Sequence, residues 1–392
     1  MYKYILLKVN TNLENKVLKK KFINVCDPLI SKDAKKYVNE CIETEWVSSS
    51  GKFLNMFEEK WARYCGAEEG IAVTNGTSAL QVAFKSLNLQ SGDEVIMPSF
   101  TIISCALAII EAGAKPVLVD CYPDNWCMNV NEVEKKISSK TKAILVVHMF
   151  GHPVEMNRIN RLVKKHNLFL IEDAAEAHGA MYKNKKVGSF GDLACFSFYA
   201  NKLITTGEGG MVVSNNKILA EKVRSLRNLS FRSDRRFFHT ELGYNYRLTN
   251  MQAALGVSQI KTIEKHVTIK RRNTRNYNKI LKDMKLPLRL PTERENVRSV
   301  FWMYGIIIKN KLFKADYLAK KLFELGIETR PLFLGMHQQP VLKNMKLFRN
   351  QSFPITEELS EFGLYLPSGL KLKTSDIKNV CKAVKKVFDE YK

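Results

Sequence analysis

Residues 171–180 read IEDAAEAHGA, and residues 188–213 read GSFGDLACFSFYANKLITTGEGGMVV. Asp173 closes an apolar, strand-like run from Leu168 to Ile171, so its carboxylate projects from the carboxyl edge of a sheet. Leu193–Tyr199 alternates like a second strand and delivers Lys202 into a glycine-rich reversal, Gly207-Glu208-Gly209-Gly210. A lysine at one strand end facing an aspartate at a neighbouring one is the pair that a pyridoxal phosphate (PLP) site needs. The amine forms an imine with the cofactor, and the carboxylate keeps the pyridine nitrogen protonated so that the ring accepts electrons. The same residues have an ordinary reading, a solvated lysine after a strand and an aspartate capping a helix. The rest of the chain decides between the two.

Upstream, residues 70–89 read GIAVTNGTSALQVAFKSLNL. Ile71–Val73 make a short strand, Asn75-Gly76-Thr77-Ser78 a turn, and Ala79 onward a helix with apolar residues at 80, 83, 84 and 87. Strand, small-residue turn and helix start form an anion cup, because exposed backbone N–H groups and the helix dipole both favour a phosphate. Taken alone, an N-cap at Thr77 or Ser78 explains the turn equally. The pattern then repeats: DEVIMPSF, KPVLVD, KAILVVHMF and LFLIED read as strands, and IISCALAIIEAG, VNEVEKKIS and NRINRLVKKHN as helices. This alternation describes a mostly parallel sheet covered on both faces. Ligands of such sheets sit beyond the carboxyl ends of the strands, where residues 75–78, Ser99-Phe100, His148–His152 and Asp173 all fall. His148 and His152 have a spacing that suits a metal, but they straddle Gly151 ahead of Pro153 in a turn, and no metal is expected. Glu208 reads as a turn residue.

Beyond Val213, a helix from Ile218 to Arg227 leads into a basic loop with Arg224, Arg227, Arg232, Arg235 and Arg236 close together. That cluster is a solvated loop, a subunit contact or a diphosphate clamp. One long helix is expected from Asn250 to about Leu281, then a break marked by Pro287 and Pro291. SVFWMYGIII and IETRP read as strands, ADYLAKKLFELG as a helix, and Thr374–Tyr391 as a final amphipathic helix. The expected organisation is an N-terminal extension over residues 1–25, a large domain over 26–285 and a small α/β domain over 286–392. Within the large domain, amphipathic helices are expected at Asp33–Glu43 and Leu54–Tyr64.

The 62 Lys plus Arg against 39 Asp plus Glu leave a formal charge of +23, which raises nucleic-acid binding as a question. The lysines are scattered through helical stretches, without an arginine-rich block with interleaved aromatics, so neither nucleic acid nor membrane is an expected partner. Attraction of a small diphosphate-bearing substrate is the more economical use of that field. The eight cysteines include no CxxC pair, and several lie in apolar runs, which suits a reducing cytoplasm. MYKYILLKVN is broken by Lys8 and makes a poor signal peptide.

The motifs TNGTSAL, HMFGHP, IEDAAEAHGA, FSFYANKLITTGEGGMVV, GYNYRLTN and ETRPLF followed by a histidine resemble the DegT/DnrJ/StrS family of sugar aminotransferases, from about Asp27 to the C-terminus. The resemblance implies a PLP enzyme of the aspartate-aminotransferase-like fold (fold type I), with a mostly parallel sheet between helices and a smaller C-terminal α/β domain. It makes Lys202 the imine-forming lysine and general acid/base, pairs Asp173 with the pyridine nitrogen and sets Glu176 near the ring hydroxyl. Gly76, Thr77 and Ser78 would hold the phosphate with Ser197. Asn245 would reach the phosphate in the neighbouring subunit, which implies a homodimer with shared sites, and Arg330 and His337 match positions near the sugar nucleotide. Many relatives carry an aromatic residue over the cofactor at the position of Ile102; here an aliphatic contact substitutes or Phe100 compensates.

The activity so implied passes an amino group from L-glutamate, through pyridoxamine phosphate (PMP), to a nucleotide-diphospho-4-keto sugar. The leading acceptor is GDP-4-keto-6-deoxymannose, followed by UDP- or dTDP-4-keto-6-deoxyglucose, and amination at carbon 3 is the alternative chemistry. Relatives that remove a sugar hydroxyl usually have histidine where Lys202 stands, which argues against that dehydration. A catalytically silent basic regulatory protein is the non-enzyme alternative, opposed by the intact Asp173, Lys202 and Asn245.

Overall fold

The computed structural model describes residues 22–232 and 234–391. One sheet dominates. Its chain runs through α1 (Ala34–Glu43), α2 (Lys52–Cys65), β1 (Glu69–Val73), α3 (Gly76–Ser86), β2 (Glu94–Pro98), α4 (Ile103–Glu111) and β3 (Lys115–Val119). It continues through α5 (Val130–Lys136), β4 (Thr141–Val147), α6 (Met156–His166), β5 (Phe169–Asp173) and a short hairpin, β6 (Met181–Tyr182) and β7 (Lys185–Lys186). Then come β8 (Leu193–Ser197), β9 (Gly210–Ser214) and α7 (Lys217–Arg227). The spatial order is β1-β9-β8-β5-β4-β2-β3, parallel from β8 to β3, with β9 antiparallel to both of its neighbours.

Strands covered on both faces are apolar throughout instead of alternating. All five residues of β8 are buried, as are all five of β9. The alternation expected over Leu193–Tyr199 is therefore replaced by a strand that ends at Ser197. The helix after β1 starts at Gly76, earlier than the expected Ala79, because the Asn75 side chain caps it by accepting from Ser78 N at 2.8 Å.

A second, smaller sheet follows. The chain passes through α8 (Asn250–Ile260), α9 (Ile263–Asp283), β10 (Leu288–Arg289), β11 (Val297–Arg298), β12 (Tyr304–Ile308), α10 (Ala315–Glu324) and β13 (Arg330–Pro331). It ends through α11 (Pro340–Asn344), α12 (Pro354–Phe362), β14 (Gly363–Leu366) and α13 (Thr374–Tyr391). The sheet order is β10-β12-β14-β13, with neighbours antiparallel. β11 pairs back with β6 beside the large sheet.

Three expectations need correcting. The single helix from Asn250 to Leu281 is two, broken at Lys261-Thr262, where Thr262 Oγ1 donates to Gln259 O at 2.8 Å. Neither proline nor glycine marks the break. It arises because α8 packs on α1 and α2, whereas α9 continues against α13. SVFWMYGIII forms a strand only from Tyr304, since Val300 N and Trp302 N donate to Gly151 O and Phe150 O of the turn after β4. IETRP contributes only Arg330-Pro331 to the sheet. Most of the expected N-terminal extension lies outside the described residues. At its end, Ile23 bridges Ile327, and Val25 N donates to Glu328 Oε2 at 2.8 Å. Among the described residues, no helix is long and apolar enough to cross a membrane.

Candidate active site

The carboxyl ends of β1, β2, β4, β5 and β8 meet along one edge of the large sheet, and the sequence-selected residues lie there. Asp173 ends β5, in register with Cys195 of β8. Its Oδ1 accepts from Ala175 N at 3.0 Å, and its Oδ2 accepts from the Cys105 thiol at 3.1 Å. Glu176 is buried in the next turn, where Oε2 accepts from Phe150 N at 2.8 Å. Burial pushes the Glu176 carboxyl up to about 7, against the opposing pull of Lys202.

Lys202 lies in the turn after β8, its Nζ 3.9 Å from the centre of the Trp302 ring. Burial lowers its pKa, while Glu176 and then Asp173 oppose that by favouring the ammonium form. His178 is fully buried, with Nε2 2.8 Å from Ser197 O. Burial and the nearby Lys202 pull its pKa down to about 3, so it stays neutral.

At the turn read from the sequence as an anion cup, glycines set the backbone spacing and the hydroxyls pair among themselves. A Cβ added to Gly76 would sit 2.8 Å from Ser197 Cβ, and one on Gly210 would sit 2.3 Å from Asn75 O. Only glycine lets the start of α3 approach β8 and β9 this closely. Ser78 is already engaged, its N–H by Asn75 and its hydroxyl by Thr74 Oγ1 at 2.9 Å. Thr77 Oγ1 instead pairs with Ser104 Oγ at 2.8 Å. Gly76, Thr77, Ser104 and Ser197 thus line a helix start suited to a phosphate, with Asp173 and Lys202 on the same sheet edge. This donor set fits PLP: hydroxyls and a helix N-terminus for the phosphate, a carboxylate for the ring nitrogen, an amine for the carbonyl carbon.

Other sequence-selected residues are placed differently. Phe100 is fully buried between Phe150 and Phe333, whereas Ile102 is 45% exposed at the start of α4, so the aliphatic side chain is the one that faces outward. Both ring nitrogens of His337 are occupied, Nδ1 2.9 Å from Ser99 Oγ and Nε2 3.1 Å from Glu357 Oε1. A substrate contact there would have to displace one of them. Arg330 pairs with Glu328 and lies opposite Tyr365 in register. Asn245 is exposed, accepts from Arg247 Nε at 2.9 Å, and bridges Asn228.

Asn228 lines a cavity of about 540 Å³ with Arg224, Arg227, Arg232, Arg236 and Arg247. Arg224 and Arg227 are tied to Glu58, and Arg232 to Asp234. His148 meets Glu172 at 3.0 Å, and His152 Nδ1 lies 2.9 Å from Pro153 O, so the two imidazoles serve separate purposes. Sequence reasoning missed Cys105, Ser104 and Trp302. Each sits inside an apolar run whose pattern announces only core packing.

The residues at 28–385 match the model of the DegT/DnrJ/EryC1/StrS aminotransferase family, and the chain belongs to that family. It is an enzyme of the PLP-dependent sugar aminotransferase kind, on the fold type I scaffold. Among its relatives, the GDP-perosamine synthase of Escherichia coli O157:H7 is 38% identical over 373 residues, covering 94% of this chain and 100% of the relative. The GDP-perosamine synthase of Caulobacter vibrioides is 40% identical over 367 residues, covering 93% and 98%. The solved structure of Helicobacter pylori PseC, an aminotransferase of pseudaminic acid biosynthesis, superposes with a TM-score of 0.86 at 28% identity, covering 94% of this chain and 100% of that one.

Proposed function

We propose that this chain transfers an amino group from L-glutamate to carbon 4 of a nucleotide-linked 4-keto-6-deoxyhexose, with GDP-4-keto-6-deoxymannose as acceptor and a surface polysaccharide or glycan as the destination. The observation that carries the reading is the Lys202 amine, held inside the sheet edge within the field of Asp173 and Glu176. The likeness to two GDP-perosamine synthases over nearly the whole chain supports the acceptor.

PLP, when bound, supplies the electron sink that lets the proton on the amino donor's α-carbon leave. In this reading Lys202 Nζ takes that proton and returns one on the opposite side of the exchange, as a general acid/base. Asp173 holds its negative charge toward the ring nitrogen. Gly76, Thr77, Ser104 and Ser197 orient the phosphate, Ser78 holds the turn through Asn75 and Thr74, and Glu176 offers or accepts a proton at the ring hydroxyl near neutral pH. One site serves both half-reactions, so ping-pong kinetics are expected. Asn245, exposed beside the arginine-lined cavity, acts in the partner's site of a homodimer.

Absorbance of the PLP-loaded protein tests the core of this. A near-visible band bleached by L-glutamate is expected, and Lys202→Ala should abolish the band and reduce turnover on the order of 10⁴-fold. A band indifferent to both would overturn the reading. GDP-, UDP- and dTDP-linked 4-keto sugars, offered to the aminated enzyme with the product's amino carbon located by NMR, then decide nucleotide and position.

A further inference from the structure

Trp302 is 4% exposed and fixed at three points. Its N–H donates to Phe150 O at 2.9 Å, its indole Nε1 donates to Asn201 O at 3.0 Å, and its carbonyl accepts from Lys270 Nζ at 2.6 Å. Lys270 is itself 2% exposed, a buried cation on α9 whose amine also lies 3.5 Å from Ser368 Oγ. The Phe150 ring packs against the indole, with centroids 5.9 Å apart and planes tilted by 44°. A buried lysine is costly to keep, and the shorter of this one's two contacts goes to the Trp302 carbonyl, which it anchors. Over this fixed ring sits the Lys202 amine, 3.9 Å from the centroid. Among the described residues, no protein acceptor takes a hydrogen bond from Nζ.

We propose that Trp302 is a positioning residue whose indole face seats the Lys202 amine whenever that amine is not bonded to the cofactor. The inference rests on the reading of Lys202 as the imine-forming lysine and adds what the lysine does after release. A freed lysine has about 2 kcal/mol of rotamer freedom to spread over. A carboxylate partner would hold it but would also compete for its proton. An indole face attracts the cation without accepting a proton and without fixed direction, so the amine slides across it towards the reacting carbon and breaks no hydrogen bond. The seat also favours the ammonium form that Lys202 must take up midway through proton transfer.

Other groups facing this amine are Glu176 and Asp173, which favour the ammonium form, and Lys270, which opposes it. Cys26 and the neutral His178 complete the surroundings.

The direct test uses cofactor-free protein. Acetylation of Lys202 by acetic anhydride is followed against pH by peptide mass, and the midpoint of the rate profile reports the amine's own pKa. Trp302→Met should lower that midpoint by about one unit, and Trp302→Phe by less. In the loaded enzyme, Trp302→Met should reduce kcat about tenfold with KM for the donor unchanged, and Trp302→Phe should restore most of it. An unchanged midpoint in Trp302→Met would overturn the proposal.

Should that variant not fold, fluorinated tryptophans can be incorporated. The midpoint should fall with each added fluorine in the natural sequence and stay constant in the Trp302→Phe background; no trend in the natural sequence overturns the proposal. The two layers fail separately. Lys202→Ala protein that keeps a glutamate-sensitive band sinks the lysine assignment and this inference with it. A required Lys202 whose pKa ignores the ring at position 302 sinks the inference alone.

Discussion

Glu172 and Asp173 are neighbours on β5 that face opposite sides of the sheet, one side closed by hydrogen bonds and the other facing the candidate site. On the first side, Glu172 is fully buried and fully partnered. Oε1 accepts from Phe190 N and Gly191 N, both at 2.8 Å, and Oε2 meets His148 Nε2 at 3.0 Å and Gly188 N at 2.9 Å. Burial alone would raise its pKa; the His148 contact and the Gly188 and Gly191 N–H groups outweigh that and hold it below the ordinary glutamate range. On the second side, Glu176 is buried to a similar degree, yet one backbone N–H is its hydrogen-bond partner, and it rises to about 7. Burial does not separate the two; the number of donors aimed at each carboxylate does. A saturated carboxylate is locked in one protonation state, and an undersupplied one is free to exchange a proton.

Replacing Glu172 with Gln attacks the saturated side. A glutamine must turn its NH2 towards one pair of N–H donors, so a loss of about 3–5 kcal/mol in unfolding free energy is expected by denaturant titration. If Glu172→Gln unfolds like the wild type, the architectural reading of that side fails. Because the folded-state pKa of Glu172 is depressed, the stability it gives is present above its unfolded pKa. That stability is lost as pH falls through the folded value.

Glu176→Gln attacks the other side and should act with opposite sign. A carboxyl raised from 4.5 to about 7 binds its proton more tightly in the folded protein than in the unfolded one. Stability therefore declines as pH climbs from about 4.5 to about 7, by about 3 kcal/mol in cofactor-free protein. The glutamine variant should lose that decline and be the more stable protein at pH 8, while the neutral limb of its activity profile moves. Urea titrations at pH 5 and pH 8 measure the first effect, and the pH dependence of kcat/KM the second.

The smallest effect is expected at Cys105, whose thiol is the weak donor to Asp173 Oδ2. Cys105→Ala should lower kcat/KM by about fivefold or less, and Cys105→Ser should retain most of the activity. A larger loss in the serine variant would place Asp173 among the strictly saturated carboxylates and blur the division between the two sides.

The contrast also explains which parts of the site could be read early. Lys202, Asp173 and the cup at Gly76–Ser78 stand in short polar or glycine-rich interruptions of apolar runs, and such interruptions are visible in a one-dimensional pattern. The β–α alternation up to Asp173 is equally plain, because a sheet covered on both faces needs continuous apolar strands. The break at Lys261 was not visible, since it answers to the different surfaces that α8 and α9 pack on. Nor was the shortening of the 299–308 strand, which depends on hydrogen bonds to Phe150 and Gly151. His148 illustrates the limit: its place in a turn argued against the metal that its spacing from His152 would suit, but its partner emerged only when β4 was laid beside β5 and Glu172 came within 3.0 Å.

The sequence by itself determined a mostly parallel α/β sheet, the strand ends that gather the candidate site, and the lysine and aspartate proposed to act there. These follow from local periodicity and from residues whose type alone limits what they can do. Only the tertiary structure decided that Glu172 is structural and Glu176 titratable, that Asn75 caps α3, and that a tryptophan from the distant segment ahead of β12 lies under Lys202. Protonation, capping and cation–π contact depend on distances between segments far apart in the chain, which packing alone sets.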